Sequence, residues 1–434
     1  MIAENLYFAA MLNTLHYLIK KYLVTILLLI IFSNEVTAQV AGCTDPMANN
    51  FNSSATLNDG SCTYNTTTYT APVKVNQLND TLFETSGLQM ANNDLWTFND
   101  RGGDAAIYKI DTLSNTILQQ VYLTGASNKD WEDIAFDGIY FYIGDFGNNL
   151  NGARTDLKIY KFPISSIPPH SGNPVVNIAA NHIEVISFMY ADQPQPPVLT
   201  TNNNTKFDCE AMVVDNGQIH LFTKDWINST TTHYTINSTA AGNYMLTPKE
   251  TLATNYLVTA ADKPMGQDLI SLLGYQKSGL ANHFIYLLNN YSDGFYFNGN
   301  KRKINLPDVT VMGQAEGISF RDDSTGYISN EKFVINGFNI TINPMLKAFN
   351  IGPFVSTFIN NFIFTGNGNW SNASNWKNNN PPPAILPANS AIIIDPLPGG
   401  ECILDIAYSI SNGKKITVLA GKKFLVQGNL IITH

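Results

Sequence analysis

The sequence predicts an all-β protein whose central part consists of five similar units. Three observations support this prediction: a composition suited to sheets, an internal repeat, and short apolar runs separated by turn residues. Charged residues make up only 14% of the 434 residues, whereas Tyr, Phe, Asn and Thr are abundant. Aromatic and β-branched residues favour strands, and Asn favours the turns between them. So many aromatic residues also argue against a disordered chain.

The internal repeat lies within residues 72–355 and has three features that recur in step. In each unit an acidic residue begins an apolar strand, and a second strand ends in polar residues 13 to 15 positions later. A third strand then carries an aromatic residue. The acidic residues of the five units are Glu84, Glu132, Glu210, Asp262 and Glu316. Units of this size with about four short strands are typical of propeller blades, which pack radially, so the repeat predicts a β-propeller.

The number of blades depends on two segments. The fifth unit shows no fourth strand of its own, and Pro72–Leu78, directly before the first unit, is available to supply it and close the ring. The longest unit contains an insertion around Pro163–Pro197. We therefore expect five blades, or six if the long unit includes another one.

Residues 1–38 predict an export signal. Lys20 and Lys21 precede an apolar run of 11 residues, Tyr22–Phe32, and the small residues of Val36–Ala38 suit a cleavage site. The apolar run is too short to cross a bilayer, which takes about 20 residues. We therefore expect a mature chain that begins near Gln39 and has no membrane span. Its expected location is secreted, periplasmic or on the cell surface.

Two small modules flank the repeat. Residues 42–64 have no apolar period, so we expect a disulfide between Cys43 and Cys62 to hold them. Their Asp and Asn oxygens suit either Ca²⁺ or Asx turns. Residues 364–434 alternate short apolar runs with Gly turns, which predicts a small β domain that could begin a β-helix. The cysteines expected to be free and buried are Cys209 and Cys402.

Antiparallel pairing gives the repeated acidic residues a common location. The start of each first strand lies beside the end of the second strand, so the acids and the polar strand ends should meet at one rim of the propeller. Carboxylates that close would raise one another's pKa or bind a cation, and oxygen ligands favour Ca²⁺ as the cofactor. The expected metal ligands are Glu84, Glu132, Glu210, Asp262 and Glu316. The expected ligand-binding residues are Asp145, Asn148, Asn149, Arg154, Lys224, Asn330 and Glu331.

Other interpretations of these residues stay open at this point. Arg154 and Lys224 would neutralise the acids instead, or each acid would only cap backbone N–H groups of its blade. The sequence contains no G-x-S-x-G, H-E-x-x-H or Gly-rich phosphate loop. We therefore expect a binding or scaffold propeller whose partner is a glycan or a surface component. The alternative is a Ca²⁺-dependent hydrolase. The net charge of −9 argues against a nucleic acid as partner.

Three segments resemble parts of known secreted proteins. Residues 42–64 (GCTDP…DGSC) resemble short modules of secreted Bacteroidota proteins, and residues 364–434 resemble their W-S-x-x-x-N-W modules. The E-[GAD]-[IM] strand starts over roughly residues 80–350 resemble those of phytase-like and related propellers. The last resemblance implies phosphoesterase or lactonase-like chemistry at the rim carboxylates, although a fold alone does not establish a function.

Overall fold

The computed structural model describes residue 20 and residues 40–432 except positions 56, 265–266, 293, 336–339, 356–360, 385, 387–390 and 411–414. Apart from Lys20, the predicted export signal and its cleavage site lie outside these described residues. Within the described part of the chain, no helix has both the length and the apolar character needed to span a bilayer.

Five antiparallel sheets of four strands each form the blades of the propeller. Blade 1 contains Thr85–Ala91, Asp94–Asn99, Ala106–Ile110 and Ile117–Leu123. Blade 2 contains Trp131–Phe136, Tyr140–Asp145, Lys158–Pro163 and Glu184–Tyr190. Blade 3 contains Cys209–Asp215, Gln218–Thr223, Thr231–Ile236 and Pro248–Leu252. Blade 4 contains Leu257–Asp262, Leu269–Tyr275, His283–Asn289 and Asn300–Asn305. Blade 5 contains Gln314–Phe320, Thr325–Glu331, Leu346–Asn350 and Val73–Val75.

The ring closes through a strand from the beginning of the repeat. Val75 pairs with Leu346 and Val73 with Lys347 in an antiparallel ladder, so the segment before the first unit completes the fifth blade. This arrangement confirms the prediction of five blades. The insertion in the longest unit forms no sixth blade. It supplies Val175–Ile178, which lies parallel to the fourth strand of blade 1.

Two further strands extend the blades at their outer edges. Gly242–Leu246 lies parallel to the fourth strand of blade 2, and Thr67–Thr68 lies parallel to that of blade 4. Short helical segments occur at Asp80–Leu82, Ile164–Ser166, Ala180–His182, Tyr296–Asn298, Val309–Met312, Gly352–Phe354, Ala373–Asn375 and Lys377–Asn379. A separate hairpin consists of Phe333–Ile335 and Ile340–Ile342.

The core lies between neighbouring blades because both faces of an inner strand are covered. All six residues of Leu257–Asp262 are buried, for example. Trp131 of blade 2 packs edge-on against Phe98 of blade 1, with ring centroids 5.4 Å apart. Aromatic pairs of this geometry add to the stability gained from burial alone. The abundant aromatic residues are thus used largely to join blades.

The N-terminal module is held by the predicted disulfide, Cys43–Cys62. Its two-residue strands are Ala41–Gly42 and Leu57–Asn58. Side-chain oxygens in the module accept local hydrogen bonds: Asp45 Oδ1 accepts from Met47 N, and Asp59 Oδ1 accepts from Ser61 N. These contacts favour the Asx-turn interpretation over a Ca²⁺ site. The cysteines found free and buried, as predicted, are Cys209 and Cys402.

The C-terminal segment forms three stacks of parallel strands. One stack contains Asn361–Phe364, Ala391–Ile394 and Lys415–Val418. The second contains Gly368–Asn369, Glu401–Leu404 and Lys423–Val426, and the third contains Ala407–Ile410 and Asn429–Ile432. Trp370 and Trp376 pack against each other in the core between the stacks, with ring centroids 4.7 Å apart.

Candidate functional site at the channel mouth

The repeated acidic residue occupies a β-bulge in three of the five blades. In blade 2, Asp145 pairs with Trp131 and Gly144 with Asp133, which leaves Glu132 unpaired between them. The first strands of blades 3 and 5 are interrupted in the same way at Glu210 and Glu316. A bulge redirects the side chain of its unpaired residue. The local sequence therefore places these three glutamates at the same end of the channel, which we call the channel mouth.

The other two repeated acids do not occupy a bulge. Glu84 lies one residue before the first strand of blade 1, and its backbone carbonyl accepts a hydrogen bond from Asp100 N. Asp262 is the last residue of its strand and lies at the opposite end of the channel. Its Oδ2 accepts hydrogen bonds from Phe320 N (2.6 Å) and Ser319 Oγ (3.1 Å) of blade 5. The expected convergence therefore fails for Asp262, which caps a neighbouring strand instead.

The buried Lys224 lies between two carboxylates in one half of the mouth. Its Nζ lies 3.0 Å from Glu210 Oε2 and 3.9 Å from Glu316 Oε1. Burial alone would lower the pKa of Lys224, but these two carboxylates raise it well above its usual value. Burial raises the pKa of Glu210, and Lys224 acts in the opposite direction. Tyr275 also donates a hydrogen bond to Glu316 (3.1 Å). This half thus contains a cation of the protein itself, which balances one of its carboxylate charges.

Glu331 extends the lysine-containing half. Gln314 Nε2 donates to Glu331 Oε2 (3.0 Å) and to Glu316 Oε1 (2.8 Å), which links the two carboxyl groups. Burial raises the pKa of Glu331 well above its usual value, and the charge of Glu316 adds to the effect. Glu331, predicted to bind a ligand, is thus already connected to the residues around Lys224.

The other half of the mouth contains three carboxylates, which we call the acidic triad: Asp100, Asp130 and Glu132. One oxygen of each lies within 4.8 Å of the others. Asp100 follows the second strand of blade 1, Asp130 precedes the first strand of blade 2, and Glu132 is the bulge residue. The triad therefore forms where two blades meet.

Within the acidic triad, Asp130 has few hydrogen-bond or ion-pair partners among the described residues. Asp130 is 3% exposed, and its Oδ1 accepts no hydrogen bond from the described residues. The nearest cation to this oxygen is Arg101, whose Nε lies 3.7 Å away. Burial raises the pKa of Asp130 to about 6, although Arg101 opposes the shift. Burial and then the charge of Asp130 raise the pKa of Asp100 to about 7, and burial raises that of Glu132 well above its usual value.

Gly147 allows the chain to approach these carboxylates. A Cβ atom at this position would overlap Glu132 Oε1 and would come within 2.6 Å of Asp130 Oδ2. Only glycine, which has no side chain, leaves this space open. The backbone after the second strand of blade 2 is therefore shaped around the acidic triad.

The loop after that strand contains four residues that we expected to bind a ligand. Asp145 forms an ion pair with Arg154 (2.8 Å), and Arg154 also donates to Gly147 O (2.8 Å). Asn148 accepts a hydrogen bond from Arg154 N (2.9 Å). The carbonyl of Asn149 accepts from Asn203 N (2.9 Å). Their polar groups hold the loop in place, and this loop carries Gly147.

Asn330 likewise binds its own blade. Its Nδ2 donates to Asn343 O (3.0 Å), and its Oδ1 accepts from Met345 N (3.1 Å). These contacts connect the end of the second strand of blade 5 to the chain that enters the third. The side chain thus stabilises the blade beside the mouth.

Sequence reasoning missed two acids at the mouth, Asp130 and Asp208. Asp208 is buried and accepts hydrogen bonds from Trp226 Nε1 (2.6 Å) and Asn148 N (2.5 Å). Each acid stands two positions before a bulge glutamate, as Asp-Trp-Glu in blade 2 and Asp-Cys-Glu in blade 3. This Asp-x-Glu spacing, repeated in neighbouring blades, is the signal that could have identified both.

A cleft of about 500 Å³ opens beside the acidic triad. Its lining includes Asp130 of the triad together with Arg101, Lys129 and Arg154. Volumes of this size are typical of sites for small molecules. The triad therefore borders a space that a ligand could enter.

No protein-family model matches the chain, and no curated protein matches it. The chain is similar to solved structures at low sequence identity, of which three are typical. The PQQ-bound aldose sugar dehydrogenase of Streptomyces coelicolor is 10% identical over 65% of this chain and 98% of that chain, with a TM-score of 0.35. A bifunctional GH43-CE protein of Bacteroides eggerthii is 9% identical over 63% and 36%, with a TM-score of 0.33. A candidate 6-phosphogluconolactonase of Bacteroides uniformis is 11% identical over 58% and 68%, with a TM-score of 0.29. Scores this low give no information about function.

Proposed function

We propose that this protein is a binding propeller whose channel mouth holds a divalent cation, with Ca²⁺ the best candidate. The observation that carries the proposal is the acidic triad, in which Asp130 has a buried oxygen with no hydrogen bond. Ca²⁺ binds oxygen at about 2.4 Å, so two ligands on opposite sides of the ion are about 4.8 Å apart. The spacing within the triad thus allows one ion to contact all three residues.

The proposed ligand set differs from the one expected from the repeat. It keeps Glu132 and adds Asp100 and Asp130. Glu210 and Glu316 are left out because the ammonium group of Lys224 already lies between them. The chemistry of the set is that of a hard-cation site, since all its ligands are carboxylate oxygens.

Calorimetric titration of Ca²⁺ into the chelator-treated protein tests the proposal. We expect one site in the wild type and at least a tenfold weaker one in Glu132→Gln, which removes a charge without changing the volume much. Asp104→Asn is the matched control, because Asp104 is exposed in the loop between the second and third strands of blade 1. Equal affinities in all three proteins, or no binding in the wild type, would contradict the proposal.

A Ca²⁺-dependent hydrolase is the second candidate, and the raised pKa values at the mouth favour it. Carboxyl groups with a raised pKa are suited to general acid–base catalysis, and burial raises the pKa of Glu331, which lies outside the proposed ligand set, well above its usual value. A screen of phosphoesters, lactones and glycosides with and without chelator tests this candidate. Turnover that is lost in Glu331→Gln but retained in Asp104→Asn would favour the hydrolase over the binding protein.

We further propose that the protein is exported and works in an oxidising compartment. The Cys43–Cys62 disulfide supports this, because such bonds are rare in the cytosol. A glycan or another surface component is the partner that we propose for a protein in that location. N-terminal sequencing of the protein recovered from culture should find a start near Gln39.

A further inference from the structure

The cleft beside the acidic triad contains three cations that differ in their partners. Arg154 forms ion pairs with Asp145 (2.8 Å) and Asp156 (3.1 Å). Lys129 forms an ion pair with Asp156 (3.0 Å). Arg101 is different: its side chain is 46% exposed, and its one ion pair among the described residues is the 3.7 Å contact with Asp130. Its guanidinium therefore keeps most of its five donors for another group.

Arg101 is also placed next to the proposed cation. It directly follows Asp100 in the sequence, and its backbone N donates to Asp100 Oδ1 (2.5 Å). Gly102 and Gly103 come next, and Gly102 has a positive φ of +77° that suits glycine. The guanidinium lies beside the triad, with its Nε 3.7 Å from Asp130 Oδ1. Asp130 belongs to both the triad and the cleft lining, so a ligand in the cleft would meet the ion and Arg101 together.

The charges of the triad, the proposed cation and Arg101 favour a carboxylate ligand over a phosphate. A divalent ion would balance two of the three triad carboxylates, and Arg101 would balance the third. Three protein carboxylates do not fill the six to eight positions of Ca²⁺, so the ion would accept further oxygens. A single carboxylate can contact such an ion and the planar fork of an arginine. A phosphate monoester carries about −1.5 to −2 charges and would leave a larger excess of negative charge.

We propose that the cleft binds a carboxylate-bearing ligand of the sugar-acid type, with its carboxylate between the cation and Arg101. This inference rests on the proposed function, because it needs the cation at the triad. Asp130 Oδ1 accepts no hydrogen bond from the described residues and has only the 3.7 Å contact with Arg101 Nε. Both residues line the same cleft. Asn151 is part of the lining, and its amide side chain suits the hydroxyl groups of a sugar.

Titration with glucuronic acid, glucose and glucose 6-phosphate in saturating Ca²⁺ tests the inference, since these sugars differ only at C6. We expect glucuronic acid to bind at least tenfold more tightly than the other two and to lose this advantage in chelator. Arg101→Ala should weaken glucuronic acid binding at least tenfold while leaving Ca²⁺ binding equal or tighter, because it removes a positive charge. Arg321→Ala is the matched control, since Arg321 is exposed at the other end of the channel.

The outcomes separate the two proposals. If Ca²⁺ binds without ligand but glucose or glucose 6-phosphate binds as tightly as glucuronic acid, the inference fails and the cation site stands. Unchanged glucuronic acid binding in Arg101→Ala also overturns the inference alone. If no Ca²⁺ binds in the ligand-free titration, both proposals fail.

Discussion

The two halves of the channel mouth contain similar carboxylates but differ in the cations that lie beside them. Around Glu210 and Glu316 the propeller supplies its own cation, Lys224, buried between them. Around the acidic triad, the cation in ion-pair distance among the described residues is the half-exposed Arg101, 3.7 Å from Asp130 Oδ1. Both halves are buried, and burial raises the pKa of Glu132 and Glu210 alike. The comparison teaches that neither burial nor a missing hydrogen bond marks a binding site by itself, since Glu316 Oε2 also accepts no hydrogen bond from the described residues. The two halves differ in whether a buried cation lies between their carboxylates.

The interior of the channel supports the same conclusion. Asp133 is fully buried, yet its Oδ1 accepts from Ile134 N (2.9 Å) and its Oδ2 from Met212 N (2.7 Å) and Ala261 N (3.3 Å). These bonds connect the inner strands of blades 2, 3 and 4. The inner strand of each blade has one edge that pairs with no other strand. On the inner strands of blades 3 and 4, Asp133 accepts the hydrogen bonds of two N–H groups at this edge. Here the carboxylate has a structural role.

The largest expected effect comes from removing Lys224. In Lys224→Met, the charges of Glu210 and Glu316 lose their partner, and breaking a buried pair in this way costs about 4 kcal/mol. We expect this loss in the free energy of unfolding measured with urea. The variant should also gain a second, weak Ca²⁺ site, because the two halves of the mouth become alike. Lys129→Met, at an exposed pair, should change stability by less than about 0.5 kcal/mol. A loss below 1 kcal/mol in Lys224→Met would contradict the claim that Glu210 and Glu316 depend on Lys224.

The next effect concerns the channel interior. Asp133→Ala leaves the N–H groups of Met212 and Ala261 buried without an acceptor, which should cost about 3 kcal/mol. Urea unfolding measures the loss, with the exposed Asp104→Ala as control. Ca²⁺ binding at the mouth should keep its affinity in the folded fraction. Stability equal to the wild type would show that the carboxylate is not needed between the blades.

A similar effect is expected from Ca²⁺ itself. A ligand that binds only the folded state at 100 times its Kd stabilises it by about 2.7 kcal/mol. Asp130→Asn should lose this gain, and its Ca²⁺-free form should be as stable as the wild type or more so, because one of three repelling charges is gone. Thermal unfolding with Ca²⁺ or chelator measures both. A Ca²⁺ gain that persists in Asp130→Asn would place the ion elsewhere.

The sequence predicted the propeller better than it predicted the site. The blades, the closing strand and the disulfide follow from local patterns, such as the period of the repeat and the polar stretch between Cys43 and Cys62. The register of blade 4 did not follow, because the acid in its first strand stands at the end and Thr259 occupies the bulge. The acidic triad joins Asp100 of one blade to Asp130 of the next. A pattern within a single unit does not show which residues meet across a blade boundary.

Two buried histidines in blade 3 allow the effect of burial on pKa to be tested on a base, whose charged form is positive. His220 Nδ1 lies 2.9 Å from His233 Nε2, and His233 Nδ1 lies 2.8 Å from Glu250 Oε1. Burial, and then the nearby His233, lower the pKa of His220 to about 2. The folded state therefore keeps His220 neutral, whereas the unfolded chain takes up a proton below about pH 6.5. Its contribution to stability is complete above that pH and is lost as the pH falls.

At pH 5 this one group should lower the free energy of unfolding by about 2 kcal/mol relative to pH 7. Urea unfolding of the wild type and of His220→Gln, at both pH values and in chelator, measures this contribution. It is the difference between the two proteins in how much the free energy of unfolding changes from pH 7 to pH 5. Glutamine keeps a polar side chain but takes up no proton, so the variant should lose about that much less stability on acidification. His182→Gln is the control, because His182 is exposed and should leave the slope unchanged. Parallel slopes for the wild type and His220→Gln would mean that burial in blade 3 does not hold His220 neutral. The effect of burial on pKa would then apply only to the carboxylates of the mouth.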